Sequence, residues 1–177
     1  MTTLLLILAA LADAGAAPPA GGAPFGPPWT VLVGEWTGEG EGQPGAGGGT
    51  ATFALDLEQH VMVRRSRSDY PAAEGRPAVH HEDLLVIYPD GGAAATRAIY
   101  FDNEGHVIEY AAAWSADVQV LTFTSAARPG APAFRLTYRV LAADRLAVAF
   151  DIAPPGSETF TPYVSGVMRR TGGRLIP

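Results

Sequence analysis

The architecture of this chain follows from one segment, Leu32–Gly42, which reads LVGEWTGEGEG. Because successive side chains of a strand point to opposite faces, Trp36, Gly38 and Gly40 share one face and the acidic residues share the other. Glycines weaken a strand interior unless the strand bends sharply or another group approaches closely. A closed barrel needs such a bend where its first strand curls over the core. The segment therefore predicts the first strand of a β-barrel, with a plain edge strand as the alternative.

The rest of the domain is predicted to be a succession of short strands. Runs of alternating apolar and polar residues are separated by turn residues, a pattern typical of all-β sandwiches and barrels. Asp102–Gly105 predicts a hairpin turn with its glycine at positive φ. About ten strands indicate an all-β fold, a single antiparallel up-and-down β-barrel with no free edge. The predicted strands are 31–41, 50–57, 61–68, 81–88, 96–101, 106–114, 118–124, 134–140, 145–152 and 160–170.

Composition limits the classes of function. The chain has 177 residues, of which 47% are hydrophobic and 17% charged, which suits one packed domain. A formal net charge of -6 argues against nucleic-acid binding, which needs basic surface to neutralise phosphate. With no cysteine, disulfides, thiol nucleophiles and thiolate metal sites are excluded.

The N-terminus resembles an export signal. A short apolar run over 4–12 precedes Ala14-Gly-Ala16, as in the hydrophobic region and cleavage site of a signal peptide. The alternative is a retained hydrophobic helix. We therefore expect a signal peptide over 1–16, a Pro/Gly/Ala linker over 17–28, the barrel over 29–171 and a tail over 172–177. Cleavage would give a periplasmic or secreted protein with no remaining membrane span.

Two motifs carry a resemblance to known families. Gly34–Gly40 (GEWTGEG) and Phe160–Arg170 (FTPYVSGVMRR) resemble the first and last strands of nitrobindin-like haem-binding β-barrels and of the uncharacterised exported bacterial lipocalin-like families allied to them. The resemblance covers about 29–170 and implies a barrel of about ten strands with an apolar cavity. In the haem-binding branch, a last-strand histidine ligates iron from inside the barrel. Tyr163 stands at that position here, and tyrosinate binds ferric haem in some proteins. The exported lipocalin-like branch is the better match.

The predicted site is the wall of the barrel. Apolar and aromatic groups usually line small-molecule sites. In lipocalin-like barrels, a first-strand Trp and a last-strand Arg stack across the closed end, which makes Trp36 with Arg169 or Arg170 the predicted structural closure. Without a bulge, the last strand would place Tyr163 and Arg169 on one face. The candidate ligand-binding residues are Trp36, Phe53, Leu55, Tyr100, Phe134, Tyr138, Phe150 and Tyr163.

Two polar clusters have simpler explanations than a site. In His80-His-Glu-Asp83, each strand face offers two metal ligands, but zinc needs three or four, so a solvated strand start is expected. In the cluster Arg64-Arg65-x-Arg67, Arg65 and Arg67 share a face with Val61 and Val63, and the choice lies between an anion-binding patch and pairing with Glu82 or Asp83. No nucleophile elbow or phosphate loop is present in the sequence.

The leading hypothesis is an exported barrel that binds a small apolar molecule. One alternative is a haem protein with redox or nitrogen-oxide chemistry, and another is a structural or partner-binding domain with a filled core. No catalytic residue, metal site or required cofactor is predicted, and a hydrolase ranks last.

Overall fold

The structure is a computed structural model that describes residues 25–39, 49–72, 74–75, 77–91 and 95–173. Ten antiparallel strands form one closed barrel, in which each strand pairs with its neighbours in the chain and β1 also pairs with β10. The predicted all-β, up-and-down, ten-stranded fold is confirmed. The strands are β1 (Gly34–Glu39), β2 (Gly49–Asp56), β3 (Val61–Tyr70), β4 (Val79–Asp90), β5 (Ala95–Asp102), β6 (Val107–Trp114), β7 (Val120–Ser125), β8 (Ala133–Ala142), β9 (Arg145–Ala153) and β10 (Thr161–Gly172).

The first strand begins later than predicted because a short 3₁₀ turn, Trp29–Val31, precedes it. The backbone N–H of Leu32 donates to the Trp29 carbonyl at 3.0 Å, which turns the chain before it becomes extended. The Leu32 carbonyl then accepts the indole N–H of Trp36 at 2.8 Å. The turn is thereby fastened to the first residues of the barrel.

This turn covers one end of the barrel, which we call the closed end. Leu32 and Trp36 are fully buried there, and the Trp29 ring meets Trp114 of β6 edge-to-face with centroids 5.7 Å apart. Phe25 is also buried and packs on Trp29 at 5.2 Å, although it falls in the predicted linker. The packed domain therefore includes at least Phe25. The predicted signal peptide and residues 17–24 of the linker lie outside the described residues, as do residues 174–177 of the predicted tail.

Alternation along the strands sorts side chains into interior and exterior sets. On β3, Met62 and Arg64 point inward, while Arg65 and Arg67 point outward. At the end opposite the turn, which we call the open end, inward-facing side chains such as His81 and Phe150 remain partly exposed. Within the described part of the chain, no helix is long and apolar enough to cross a bilayer.

Candidate functional site

A hydrogen bond crosses the barrel from one wall to the other. The Arg64 guanidinium on β3 donates through Nη1 to the Tyr138 hydroxyl on β8. These two strands lie five places apart in either direction around the ten-stranded ring. The Tyr138 ring also packs edge-to-face on Phe53 and Phe123, with centroids 5.5 and 6.3 Å away. This contact, the lumen bridge, lies between the closed end, where Leu32 and Trp36 are fully buried, and the half of the lumen toward the open end, the open half, where His81, Phe134 and Phe150 are partly exposed.

The charge of Arg64 is compensated inside the barrel by Asp83 of β4. Arg64 Nη2 donates to Asp83 Oδ1, and the Ser66 hydroxyl donates to Asp83 Oδ2. The side chains of Arg64 and Asp83 are 7% and 9% exposed. Burial lowers the pKa of Arg64, but Tyr138 and Asp83 outweigh it and raise that pKa above its ordinary value. Arg64 is therefore a permanent cation within the barrel.

More polar side chains extend from this pair toward the open end. His81 Nε2 lies 3.0 Å from the Tyr100 hydroxyl and 3.7 Å from Asp83 Oδ2. The Tyr100 hydroxyl donates to Asp102 Oδ2 at 3.3 Å. The register of β4 and β5 sets Asp83 directly opposite Asp102. We call these residues the polar cluster, which consists of Arg64, Ser66, His81, Asp83, Tyr100 and Asp102.

The protonation states of two cluster members follow from their surroundings. Asp102 Oδ1 accepts hydrogen bonds from the backbone N–H groups of Glu104 and His106 at 3.0 and 2.9 Å. Asp102 Oδ2 accepts a hydrogen bond from His106 Nδ1 at 2.8 Å. Burial raises the pKa of Asp102, but these hydrogen bonds outweigh it and hold the pKa below its usual value. Burial, reinforced by the carboxylates of Asp83 and Asp102, raises the pKa of Tyr100. At neutral pH Asp102 is therefore a carboxylate and Tyr100 a neutral phenol.

An apolar wall occupies another side of the open half. Phe134 of β8 and Phe150 of β9 stack with centroids 5.9 Å apart and an interplanar angle of 10°. Both rings are half-buried and pack against the core. The Tyr163 ring meets Phe150 edge-to-face at 6.2 Å and is 61% exposed. We call Phe134 and Phe150 the aromatic wall, with Tyr163 at its rim.

The predicted wall residues are thus divided between the two halves. Tyr100, Phe134 and Phe150 lie in the open half, and Tyr163 lies at its rim. Trp36 and Phe53 are buried in the filled part, Tyr138 forms the lumen bridge, and Leu55 is a half-buried neighbour of the core. Four of the eight candidates therefore lie in the open half or at its rim, and Phe134, Phe150 and Tyr163 are the ones in mutual contact.

A bulge in β10 changes which of its residues face the interior. The register breaks between Pro162 and Val164, so that Val164 pairs with Phe150 and Met168 with Leu146 on the inner face. The expectation that Tyr163 and Arg169 share one face required an unbroken strand and does not apply. Tyr163 is the residue within the bulge.

The sequence predicted that Trp36 stacks with either Arg169 or Arg170 at the closed end, and the structure shows that the partner is Arg170. The Arg170 guanidinium lies 4.2 Å from the centre of the Trp36 ring and donates to the Val31 and Val33 carbonyls. Arg169 faces outward and pairs with Glu39 at 2.5 Å. Gly34 has a φ of +132°, and a Cβ there would lie 2.8 Å from the Gly172 carbonyl oxygen, so glycine is needed at this position.

The two acidic residues proposed as arginine partners face opposite ways. Glu82 pairs with Arg67 on the outer surface, whereas Asp83 pairs with Arg64 inside. The sequence reasoning noted Arg64 within an arginine cluster but gave it no role inside the barrel, and it did not single out Ser66. A signal for the buried pair was present, because Arg64 shares its strand face with Met62 and Asp83 shares its face with Leu85.

One donor of the polar cluster is left without a partner. Among the described residues, Arg64 Nε is buried and makes no hydrogen bond, as is also true of Trp114 Nε1 near the closed end. An unpaired buried donor costs about 1–3 kcal/mol, and a ligand oxygen or an ordered water would recover that energy.

The comparisons with known proteins leave the family open. No family profile matches the chain, and no curated protein matches it.

Within the described ranges, no three His, Asp or Glu side chains are grouped as metal ligands.

Proposed function

We propose that this protein binds one small, mainly apolar molecule in the open half of its barrel. The observation that carries the proposal is the aromatic wall, where Phe134 and Phe150 are stacked, inward-facing and only half-buried. Barrels of about this size hold either packed side chains or one small ligand. Concave sites with apolar walls and a few fixed polar groups are the usual place for such ligands.

The lumen bridge forms the floor of the proposed site. Toward the closed end from the bridge, Leu32, Trp36 and Leu146 are at most 1% exposed, so those positions are occupied by the protein's own side chains. The ligand would therefore contact Phe134 and Phe150 on one side and the polar cluster on another. Its size is limited to that part of the lumen between the bridge and the rim.

Haem fits these residues less well than a small apolar molecule does. Tyr163, the position that matches the iron ligand of the haem-binding branch, lies in a bulge and is 61% exposed. An iron ligated there would lie at the rim, and the lumen bridge limits how far a macrocycle extends inward.

We further propose that the protein is exported to the periplasm or beyond. The apolar run over 4–12, followed by small residues, supports this. Fractionation of the producing cells, with the N-terminus of the recovered chain determined by mass spectrometry, tests it. A chain that begins at Met1 and stays in the cytoplasm would contradict export.

Binding of Nile red, a neutral dye that fluoresces in apolar sites, tests the ligand proposal. We expect saturable binding to the purified protein, weakened about tenfold or more in Phe150→Ala, because a buried aromatic contact contributes a few kcal/mol. Phe101→Ala is the matched control, since Phe101 is an exposed aromatic residue on the outward face of β5. Equal losses in both variants, or no binding at all, would contradict the proposal. The latter result would favour a partner-binding domain with a filled core.

A further inference from the structure

The polar cluster is more elaborate than the packing of a barrel requires. It contains a buried ion pair, Arg64 with Asp83, beside a core cluster of hydrophobic side chains. Desolvating such a pair often costs as much as its attraction returns, so that stability alone is a weak reason for it. The cluster shares the open half of the barrel with the aromatic wall. It is therefore placed to meet the polar end of whatever the wall holds.

The balance of charge indicates which polar end is accepted. One guanidinium, Arg64, faces two carboxylates, Asp83 and Asp102, which oppose each other across β4 and β5. Glu104 adds a third carboxylate, 3.1 Å from His81 Nδ1. His106 pairs with Asp102, and Tyr100, Tyr110 and Tyr138 lie close enough to Arg64 and Asp83 to interact with them electrostatically. Because Asp83 already compensates Arg64, an anionic head group would add to an excess of negative charge.

The charge balance disfavours an anion, and the hydrogen-bonding groups disfavour a cation, because Arg64 Nε needs an acceptor and an ammonium has none. Arg64 Nε offers an N–H without a partner among the described residues, and the nearby carboxylate of Asp83 accepts hydrogen bonds. A ligand hydroxyl can accept a hydrogen bond from Arg64 Nε and donate one to the Asp83 carboxylate, whereas an ionised carboxylate can only accept hydrogen bonds. Resting on the proposed function above, we propose that the polar cluster recognises the neutral hydroxyl of an otherwise apolar molecule, a long-chain alcohol rather than a fatty acid.

Competition against Nile red at neutral pH tests this, with decan-1-ol, sodium decanoate, decylamine and decyl methyl ether as competitors. In the wild-type protein we expect decan-1-ol to bind most tightly and decanoate about tenfold or more weakly, as one unfavourable buried charge contact predicts. The ether shares the chain and the acceptor oxygen but has no O–H donor. We expect it to bind several-fold more weakly than the alcohol.

Decan-1-ol has a lower desolvation cost than decanoate, which favours its binding to any apolar site. The decisive quantity is therefore the change in the ratio of the two affinities between the wild type and a variant. Asp83→Asn keeps the shape and removes the competing charge, which should shift the ratio toward decanoate by about tenfold. Glu82→Gln removes a charge from the adjacent residue on the outer face, where Glu82 pairs with Arg67. We expect the ratio to stay unchanged in that control.

Several results would overturn the inference. Decanoate or decylamine binding as tightly as decan-1-ol to the wild type would do so while leaving the proposed function intact. The ether binding as tightly as the alcohol would do so too, and this comparison needs no variant to fold. Failure of Nile red and every competitor to bind would remove the proposed function itself.

Discussion

Arg64 and Tyr138 are joined across the lumen by a hydrogen bond between diametrically opposed strands. Strand pairing joins neighbouring strands around the barrel, whereas this side-chain contact joins β3 and β8 across its interior. It also links the filled half to the polar cluster, because the same guanidinium binds Asp83. The bridge is thus both the top of the core and the floor of the proposed site.

Loss of the bridge should be measurable as lost stability. Tyr138→Phe removes the acceptor of Arg64 Nη1 and leaves a buried charged donor unpaired. We expect the free energy of unfolding to fall by about 1–3 kcal/mol. Urea unfolding followed by circular dichroism measures this. Tyr88→Phe, at a half-buried outward position of β4, serves as the control. Equal stability of Tyr138→Phe and the wild type would show that the hydrogen bond is not formed.

At the closed end, we expect substitution of Arg170 to destabilise the protein more than the same substitution of its neighbour Arg169. Arg170→Lys loses the planar stack on Trp36 and the forked hydrogen bonds to the Val31 and Val33 carbonyls. We expect a loss of roughly 1–3 kcal/mol. Arg169→Lys alters a surface ion pair and should cost much less. Thermal unfolding of both variants checks the order, which would be contradicted if Arg169→Lys were the more destabilised.

Asp102 predicts a component of acid sensitivity. Its pKa in the folded protein is lowered, net of the opposing effect of burial, by hydrogen bonds from His106 and Glu104. The unfolded chain therefore binds the proton more readily, and the stability contributed by Asp102 is lost as the pH falls through its folded pKa. In Asp102→Asn, we expect a smaller loss of stability below about pH 4 than in the wild type. Parallel acid denaturation curves for the two proteins would contradict this.

The interior tyrosines predict the alkaline behaviour. Burial raises the pKa values of Tyr100, Tyr110 and Tyr138. These phenols should stay neutral above pH 10 for as long as the barrel stays folded. We expect their phenolate absorbance to appear together with loss of the β-sheet circular dichroism signal. Phe substitutions at each position should remove amplitude from that phase, and an early rise that precedes unfolding would contradict the burial.

The strand pattern predicted the fold because period-two alternation and turn residues are local signals. The bulge in β10 could not be predicted in this way, since Pro162-Tyr-Val164 alternates as well as an unbroken strand does. The 3₁₀ turn at Trp29 was missed for a similar reason. Its formation depends on burial of Phe25 and Trp29 at the end of the closed barrel.

The site was harder to predict than the fold. Aromatic residues were assigned to a cavity wall without knowing how deep each would lie, so Trp36 and Phe53 were grouped with Phe150. Arg64 was noted in an arginine cluster but not placed inside the barrel, because an arginine in a strand is usually exposed. The contact between Arg64 and Tyr138 spans 74 positions in sequence and depends on ring closure. No local pattern contains that information.

Native mass spectrometry of the protein purified from its producing cells tests the central claim most directly, with an absorbance spectrum of the same sample. We expect the mass of the chain plus one small molecule, a featureless visible spectrum, and loss of the added mass in Phe150→Ala but not in Phe101→Ala. The bare chain mass, together with no uptake of added Nile red, would contradict a ligand-binding barrel. A Soret band with the added mass of haem would instead favour the haem alternative and make Tyr163 the first residue to substitute.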